Sequence, residues 1–234
     1  MQTIYAIIPA AGVGSRMQAD KPKQYLSLLG KTILEHTAER FLRRDDITQV
    51  IIATSQGDPY FPQLPLAHHP KVTRVEGGSE RADTVLSALN YIAEHESQPC
   101  WVMVHDAARP CLVQADIDAL KKTALNHPVG AILASPVRDT MKRGNEEHNI
   151  ERTVERDNLW HALTPQMFPV DTLKHCLEQA LDQGFQVTDE ASALEFAGQA
   201  PGLQPGRGDN IKITRPEDLA LAEFYLIKSK EPLS

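Results

Sequence analysis

Short apolar segments rich in β-branched residues alternate with longer amphipathic segments along most of this 234-residue chain. Their periodicity predicts strands at residues 3–9, 49–54, 71–77, 100–106 and 130–137, with weaker strands at 163–168 and 210–214. It predicts helices at residues 32–44, 81–95 and 115–127, a fourth that follows Asp171 and ends at Gly184, and a last one with a capping box at residues 214–217. Strands that alternate with helices indicate an α/β fold: a Rossmann-like, mixed and mostly parallel sheet flanked by helices.

One polar segment interrupts this alternation. Residues 138–157 alternate in polarity on both sides of a turn at Gly144 and Asn145, which predicts a β-hairpin. Such a hairpin buries little of its own surface, so we expect it to project as an arm and to pack on something else. The sequence contains no repeat, low-complexity tract or interdomain linker, and we therefore expect a single domain over residues 1–234.

Charge, hydrophobicity and cysteine content limit which partners the protein can bind and which cell compartment it can occupy. The formal net charge of -7 disfavours general binding to nucleic acids or to membrane surfaces. No apolar run is long enough to span a membrane, and the first residues lack the zones of a secretory signal. The three cysteines cannot all pair and show no C-x-x-C spacing, which favours the cytoplasm and argues against structural zinc. An anionic substrate must then be held by cations that the fold gathers locally.

The loop after the first strand, "PAAGVGSRM", has the residues of an anion-binding turn. Gly12 and Gly14 allow backbone N–H groups to approach a phosphate closely, and Arg16 and Lys23 add charged donors. The residues argue against a dinucleotide-binding motif, because Met17 stands in place of its third glycine. They also argue against a Walker loop, because Ser and Arg follow Gly14. The alternative is an ordinary turn with solvated cations.

The motif "HDAARP" follows the strand predicted at residues 100–106. A carboxylate at the end of a parallel strand can bind a divalent cation or a sugar hydroxyl, which makes Asp106 a candidate; a helix cap is the alternative. Arg109 follows three residues later. For His105 we favour a buried or hydrogen-bonded imidazole beside the site.

Two further segments add candidate ligands at strand ends. In "GGSERADTV", the backbone of Gly78 and Ser79 and the hydroxyl of Thr84 could recognise a base or a ribose; a glycine-rich helix start is the alternative. In "GDNIKIT", Asp209 and Lys212 lie on the predicted late strand, and a lysine within an apolar strand favours a functional role.

The candidate site contains cations, glycines and carboxylates but no evident nucleophile or general base, and no serine lies in a G-x-S-x-G frame. A phosphate monoester is largely a dianion at neutral pH and can attack without a base. Phosphoryl-type transfer depends mainly on positioning and on stabilisation of charge. This set of cations, glycines and carboxylates therefore best suits nucleotidyl transfer.

Seven motifs together resemble one family, and they occur in its order. They are "PAAGVGSRM", "KPKQY", "HDAARP", "PVRDTMKR", "LWHALTPQ", "TDEASALE" and "DNIKITRPEDLALAE". The first alone is similar to the wider nucleotidyltransferase superfamily. With the others, residues 4 to 227 resemble the 2-C-methyl-D-erythritol 4-phosphate cytidylyltransferases. This resemblance implies the condensation of CTP with methylerythritol phosphate to 4-diphosphocytidyl-2-C-methyl-D-erythritol and pyrophosphate, in non-mevalonate isoprenoid biosynthesis.

The resemblance also implies roles for individual residues. Main-chain groups would contact CTP at Ala10, Ala11, Gly12 and Gly14. The phosphates of CTP would be stabilised in the transition state by Arg16, Lys23 and Lys212. Cytosine and ribose would be recognised by Gly78, Ser79 and Thr84. Family members often carry Asp at the position of Ser79 and Ser at that of Thr84. The methylerythritol phosphate pocket would be lined by Asp106, which also contacts CTP, and by Arg109, Thr140, Arg156, Thr164 and Thr188.

Family members are homodimers joined by hairpin arms, which gives the predicted arm a role. Arg109 and Thr140 would approach the substrate of the partner subunit. The family needs a divalent cation, usually Mg²⁺, and Asp106 and Asp209 would lie nearest it.

Two alternatives remain open. One is a nucleotidyltransferase that activates another sugar or polyol phosphate, such as ribitol 5-phosphate. The other is a non-catalytic nucleotide-binding protein, which would need the phosphate-side residues but not the acceptor-side ones.

Overall fold

The computed structural model describes residues 2–12, 17 and 21–229. Six strand predictions are confirmed at β1 (Ile4–Pro9), β4 (Gln49–Thr54), β5 (Val72–Glu76), β6 (Trp101–Val104), β7 (Ala131–Pro136) and β10 (Trp160–Pro169). Two very short strands, β2 (Ser27–Leu28) and β3 (Lys31–Thr32), pair with each other, and β11 (Gly202–Pro205) was not predicted.

Within the described part of the chain, the main sheet has seven strands in the order β11-β7-β10-β6-β1-β4-β5. Strand β10 is antiparallel to both of its neighbours, whereas the other neighbouring pairs are parallel. The predicted mixed, mostly parallel sheet is therefore confirmed. The carboxyl ends of β1 and β6 lie side by side, because residues 4–7 pair in register with residues 101–104.

The helices are α1 (Ile33–Leu42), α2 (Arg81–His95), α3 (Gln114–Leu125), α4 (Val170–Asp182), α5 (Glu190–Phe196) and α6 (Glu217–Lys228). The predicted helices are confirmed, although α4 starts one residue before Asp171, and α5 was not predicted. Gly184 follows α4 with a φ of 68°, in the left-handed region that glycine adopts without strain. None of the helices within the described residues is long and apolar enough to cross a membrane.

Both faces of the sheet are covered. Alternate side chains of β1 point to opposite sides, so Ile4 and Ile8 pack with Phe41 of α1 while Ile7 packs with Leu89 of α2. Helix α3 shares the first face with α1, and α4 and α5 share the second face with α2. These side chains are fully buried, and burial of each stabilises the fold by roughly 1.5–3 kcal/mol. The rigid sheet fixes the positions of the loops at its edge.

The strand predicted at residues 210–214 is wrong. This segment is irregular: the N–H of Ile213 donates to the carbonyl oxygen of Ala108, and the carbonyl oxygen of Ile213 accepts from Lys23 Nζ. Ile213 packs against α6, which explains why the apolar pattern resembled a strand. The capping box predicted at residues 214–217 is also wrong, because Asp218 accepts from the backbone N–H groups of Thr214 and Arg215.

The predicted hairpin is confirmed. Strands β8 (Met141–Gly144) and β9 (Ile150–Val154) pair antiparallel in a two-stranded sheet separate from the main one. Most of its residues are exposed, including Ile150 with 68% of its surface accessible. An exposed apolar side chain on a projecting hairpin suits packing against another surface.

Candidate active site

Two adjoining pockets lie at the carboxyl edge of the sheet. The first is lined by residues 9–12, 23–24, 78–81, 84, 106–108 and 212. The second is lined by residues 81, 106, 109, 162–164, 166, 188–189 and 212. Three residues, Arg81, Asp106 and Lys212, belong to both linings, so their side chains form a wall shared by the two pockets.

The loop after β1 is held from behind by a buried glutamine. Gln24 Nε2 donates to the carbonyl oxygens of Ala10 at 2.7 Å and of Gly12 at 3.1 Å. The backbone N–H of Ala10 donates to the carbonyl oxygen of Ala53 at 2.7 Å, so the start of the loop is also tied to β4. Gly14 and Arg16, which were predicted in the same loop, lie outside the described residues.

The glycine turn before α2 packs directly against this loop. A Cβ built on Gly77 would lie 2.7 Å from Cβ of Ala11 and 2.9 Å from Cγ2 of Thr84, so the close approach requires a glycine. The predicted residues Gly78, Ser79 and Thr84 all line the first pocket. The hydroxyl of Thr84 donates to the carbonyl oxygen of Glu80 at 2.9 Å, which leaves its oxygen able to accept from a ligand.

The two predicted lysines converge on the first pocket. Lys23 Nζ donates to the carbonyl oxygen of Ile213 at 3.0 Å, and the adjacent Lys212 extends its Nζ to within 2.9 Å of Asp106 Oδ2. Packing of Ile213 against Met17 and α6 anchors the segment that carries Lys212. The pocket therefore gathers positive charge from chain positions almost 200 residues apart.

Asp106 is buried among three cations. Its Oδ1 accepts from Arg81 Nε at 3.1 Å, and its Oδ2 contacts Lys212 Nζ at 2.9 Å and Arg109 Nε at 3.3 Å. Burial alone would raise the pKa of Asp106, but the charges of Arg81, Lys212 and Arg109 outweigh it and hold that pKa well below the ordinary value. The carboxylate is therefore ionised at neutral pH.

A second buried carboxylate, which was not predicted from the sequence, lies behind this wall. Glu190 is 1% exposed, and its Oε1 and Oε2 accept from Nη1 and Nη2 of Arg81 at 2.6 and 3.2 Å. Burial would lower the pKa of Arg81, but Glu190 and Asp106 outweigh it and raise that pKa. Both residues occur in the quoted motifs "GGSERADTV" and "TDEASALE". Their pairing spans 109 positions, so no local pattern indicates it.

The expected role of His105 is confirmed: the imidazole is fully buried and hydrogen-bonded. Nδ1 lies 2.9 Å from Thr164 Oγ1, and Nε2 lies 3.0 Å from the carbonyl oxygen of Arg109. Thr164 Oγ1 also accepts from the backbone N–H of Asp106 at 3.2 Å. These bonds tie the "HDAARP" loop to β10.

The second pocket collects four of the predicted acceptor-side residues, Asp106, Arg109, Thr164 and Thr188. Asn210 and Gln166 fix them. Asn210 donates through Nδ2 to the carbonyl oxygen of Thr164 at 2.7 Å, and the main-chain carbonyl oxygen of Asn210 accepts from Arg109 Nη1 at 2.7 Å. Gln166 is fully buried and joins β10 to the start of α5, beside Thr188, because its Oε1 accepts from the N–H of Ala191 at 2.9 Å.

The remaining predicted acceptor-side residues, Thr140 and Arg156, lie at the base of the hairpin. Both are exposed, and Arg156 Nη1 donates to the carbonyl oxygen of Arg138. Neither is among the described residues that line the two pockets. Their assignment to a substrate pocket stays a prediction.

The carboxylates expected near a metal ion differ in their surroundings. Asp106 lines both pockets, whereas Asp209 pairs with Arg207, whose Nε lies 2.9 Å from Oδ1. Within residues 2–12, 17 and 21–229, no three His, Cys, Asp or Glu side chains group closely enough to hold a metal ion. Carboxylate oxygens suit Mg²⁺, which often takes most of its ligands from phosphate and water, and the role of Asp106 as a metal ligand stays a prediction. The prediction for Asp209 stays untested.

Comparison with known proteins identifies the family. The family model "IspD: 2-C-methyl-D-erythritol 4-phosphate cytidylyltransferase" matches residues 4–228. The chain belongs to this family. A 2-C-methyl-D-erythritol 4-phosphate cytidylyltransferase of Vibrio cholerae serotype O1 is 62% identical over 231 residues, which cover 99% of each chain. One from Photobacterium profundum is 57% identical over 229 residues, or 96% of this chain and 97% of the relative.

Solved structures agree with this assignment. The Francisella tularensis 2-C-methyl-D-erythritol 4-phosphate cytidylyltransferase matches with a TM-score of 0.84 at 35% identity, over 95% of this chain and 99% of that one. The Thermus thermophilus enzyme matches with a TM-score of 0.79 at 30% identity, over 97% and 100%. The predicted family is thereby confirmed. The enzyme is a nucleotidyltransferase that condenses CTP with methylerythritol phosphate in isoprenoid biosynthesis, as the sequence motifs implied.

Proposed function

We propose that the first pocket binds CTP, that the second pocket binds 2-C-methyl-D-erythritol 4-phosphate, and that transfer occurs at the wall they share. The observation that carries this proposal is the presence of Arg81, Asp106 and Lys212 in both linings. Two anions bound in separate pockets can react only where the pockets meet. At this wall, three cations face one carboxylate, which leaves positive charge for phosphate oxygens.

The reaction is an in-line displacement. An oxygen of the methylerythritol 4-phosphate forms a bond to the α-phosphorus of CTP, and the bond from the α-phosphorus to the bridging oxygen of the β-phosphate breaks. The electron pair leaves with pyrophosphate. The attacking phosphate is largely a dianion at neutral pH, so no side chain needs to remove a proton. Lys23, Lys212 and Arg16 stabilise the charge that develops on the equatorial and leaving oxygens.

On the nucleotide side, the loop containing Ala10, Ala11, Gly12 and Gly14 offers backbone groups to CTP. The turn at Gly78 and Ser79, with Thr84, binds cytosine and ribose. Support comes from the fixed geometry of these segments, since Gln24 holds the first loop through its carbonyl oxygens and Gly77 lets the second turn pack closely against Ala11. Preorganised donors lose little freedom when the substrate binds.

On the acceptor side, Arg109, Thr164 and Thr188 bind methylerythritol phosphate together with Thr140 and Arg156. Thr140 and Arg156 flank the hairpin strands, and a homodimer in which each arm reaches the partner's acceptor pocket would bring Thr140 to that pocket. Arg109 was also expected to approach the partner's substrate, but it lines the acceptor pocket of its own chain. The exposed Ile150 on the hairpin supports such packing.

A divalent cation, Mg²⁺ by preference, accompanies the nucleotide. When bound, it supplies positive charge that neutralises phosphate oxygens. Asp106 would hold it from the protein side, and Asp209 is a second candidate that would have to separate from Arg207. We place the reaction in the cytoplasm, in agreement with the three buried free thiols of Cys100, Cys111 and Cys176.

The test is an assay of the purified protein with CTP, methylerythritol phosphate and Mg²⁺, with pyrophosphate release followed and the organic product identified by mass. Parallel reactions contain ATP, GTP or UTP in place of CTP, or ribitol 5-phosphate as the acceptor. We expect 4-diphosphocytidyl-2-C-methyl-D-erythritol from the first reaction and little product from the others. Faster turnover of ribitol 5-phosphate, or nucleotide binding without pyrophosphate release, would overturn the proposal.

A further inference from the structure

We infer that Glu190 is a positioning residue for cytidylyl transfer. It fixes the guanidinium of Arg81, and through Arg81 it sets the carboxylate of Asp106 and the ammonium of Lys212 at the wall shared by the two pockets. Glu190 itself is among neither pocket's described lining residues. This inference rests on the proposed function, because it assigns the wall to the transfer step.

The contacts form one continuous chain. Arg81 directs its two Nη atoms to the two oxygens of Glu190 and its Nε to Oδ1 of Asp106. Oδ2 of Asp106 then contacts Lys212 Nζ at 2.9 Å. A guanidinium that bonds one carboxylate through both Nη atoms has a fixed plane. The plane set by Glu190 is therefore the one that directs Nε to Oδ1 and leaves Oδ2 to Lys212.

The backbone of Glu190 is fixed as firmly as its side chain. The residue starts α5, and its neighbours are tied down: Asp189 accepts from the N–H of Ser192 at 3.0 Å, and Ala191 donates to Gln166 at 2.9 Å. Gln166 lies on β10, in the main sheet. The orientation of the Arg81 side chain is thus fixed by the sheet and by α5, as well as by its own helix α2.

The charge balance explains why Glu190 is needed. Among the described residues, three cations, Arg81, Arg109 and Lys212, contact Asp106, whose single negative charge does not balance their charge. Glu190 accepts hydrogen bonds from both Nη groups of Arg81 and supplies a second negative charge. Without its charge, the guanidinium would turn its Nη groups toward Asp106 Oδ2 or toward the triphosphate, and Lys212 would lose its fixed position. A displacement of about 1 Å at a reacting centre can reduce turnover roughly a hundredfold.

The experiment is a double-mutant cycle with Glu190→Gln, Arg81→Gln and the double variant. We expect Glu190→Gln to lower kcat by roughly tenfold to a hundredfold, with a smaller change in the KM for CTP. If Glu190 acts through Arg81, the double variant should be no slower than Arg81→Gln alone. Wild-type turnover in Glu190→Gln, or losses that multiply in the double variant, would overturn the inference. An inactive wild-type enzyme would instead refute the proposed function.

Asp46→Asn is the matched control for loss of a partly buried ion pair. Asp46 accepts from Arg44 through both oxygens at 2.8 Å and from Lys121 at 2.6 Å, outside both pockets as described. Arg44 and then Lys121 lower the pKa of Asp46 to about 2. We expect this variant to lose thermal stability while it keeps the wild-type kcat. An equal loss of kcat in Asp46→Asn would show that the effect at Glu190 is one of general stability.

Glu190→Gln leaves the buried Arg81 without its charge partner and for that reason can impair folding. The double variant Arg81→Met with Glu190→Met removes both partners and keeps the volume. We expect a folded protein that binds CTP, measured by calorimetry, and turns over slowly. Native turnover in that folded variant would overturn the inference. If this variant does not fold, the role of the Arg81–Glu190 ion pair is to stabilise the fold, and the inference is likewise overturned.

Discussion

The hydroxyl oxygen of Thr164 lies 2.9 Å from Nδ1 of His105, in a chain of hydrogen bonds that reaches the backbone N–H of Asp106. Nε2 faces the carbonyl oxygen of Arg109, which can only accept, so Nε2 carries the ring proton. Nδ1 of the neutral ring then accepts the hydroxyl proton of Thr164. The oxygen of Thr164 in turn accepts the backbone N–H of Asp106. The arrangement favours an unprotonated imidazole, because with a protonated ring the hydroxyl of Thr164 would receive two donors and would need another acceptor for its own proton.

The first prediction concerns acid stability. Burial, which outweighs the hydrogen bonds and the nearby charge of Asp106, lowers the pKa of His105 from 6.5 to about 4. The unfolded chain therefore binds a proton at His105 before the folded chain does, and stability is lost as pH falls from about 6.5 to about 4. We expect this histidine to account for roughly 3 kcal/mol of that loss.

The measurement is urea unfolding at pH 7 and pH 4, for the wild type and for His105→Gln. The glutamine keeps a donor for the carbonyl of Arg109 but has no group that titrates. We expect the variant to be less stable at pH 7 and the difference between the two proteins to shrink as pH falls. A difference that is constant over this range would contradict the neutral, buried ring.

The second prediction concerns the converging cations. We expect Lys212→Ala and Lys23→Ala to lower kcat roughly a hundredfold or more, since each removes a preorganised donor at the wall or beside it. Arg16→Ala should behave alike. Asp106 keeps Arg81 and Arg109 as partners in Lys212→Ala, so the fold should survive. Steady-state kinetics and thermal unfolding are measured together.

Lys121→Ala is the control for these lysines, because it removes a 2.6 Å ion pair with Asp46 away from both pockets. It should keep the wild-type kcat. Wild-type turnover in Lys23→Ala or Lys212→Ala would refute the assignment of the lysines to the transition state.

The third prediction tests the contact between the two nucleotide-side loops. In Gly77→Ala the added methyl group would lie 2.7 Å from Cβ of Ala11, so the loops must separate. We expect the KM for CTP to rise several-fold and the KM for methylerythritol phosphate to change little. Gly208→Ala is the control, because a Cβ there meets no atom within 4 Å. Equal KM values for CTP in the two variants would count against the packed turn.

The sequence predicted the sheet and most helices because their apolar periodicity is local. The strand prediction failed where tertiary contacts take the place of hydrogen bonds between strands. Ile211 and Ile213 alternate with polar residues as in a strand, yet the backbone of Ile213 forms hydrogen bonds with Ala108 and Lys23. It also missed β11 (Gly202–Pro205), an edge strand whose glycine and proline are untypical of strands.

The candidate site shows the same division. Residues of the motifs, such as Lys23, Asp106 and Lys212, were predicted, and the structure brings them together at one pocket. Glu190 was missed because its relevance depends on Arg81, 109 positions away. A buried carboxylate has no signature in a single sequence, since its burial follows from the packing of α5 on the sheet.

The fourth prediction tests whether active sites are shared between subunits. If the arm brings Thr140 into the partner's site, each site combines Lys23 of one chain with Thr140 of the other. A heterodimer of Lys23→Ala and Thr140→Ala chains then contains one site with both defects and one intact site. Mixing the two variants and allowing subunits to exchange should restore about a quarter of the wild-type kcat per chain, since half of the dimers become heterodimers.

A mixture of Lys23→Ala and Lys212→Ala provides the matched control. Both lysines line the first pocket of the same chain, so every site in that heterodimer keeps one defect. Activity should therefore not recover, although subunits exchange equally. Native mass spectrometry of differently tagged chains verifies that heterodimers form. Recovery in the control, or no recovery with Thr140→Ala in verified heterodimers, would show that the hairpin does not complete the partner's site.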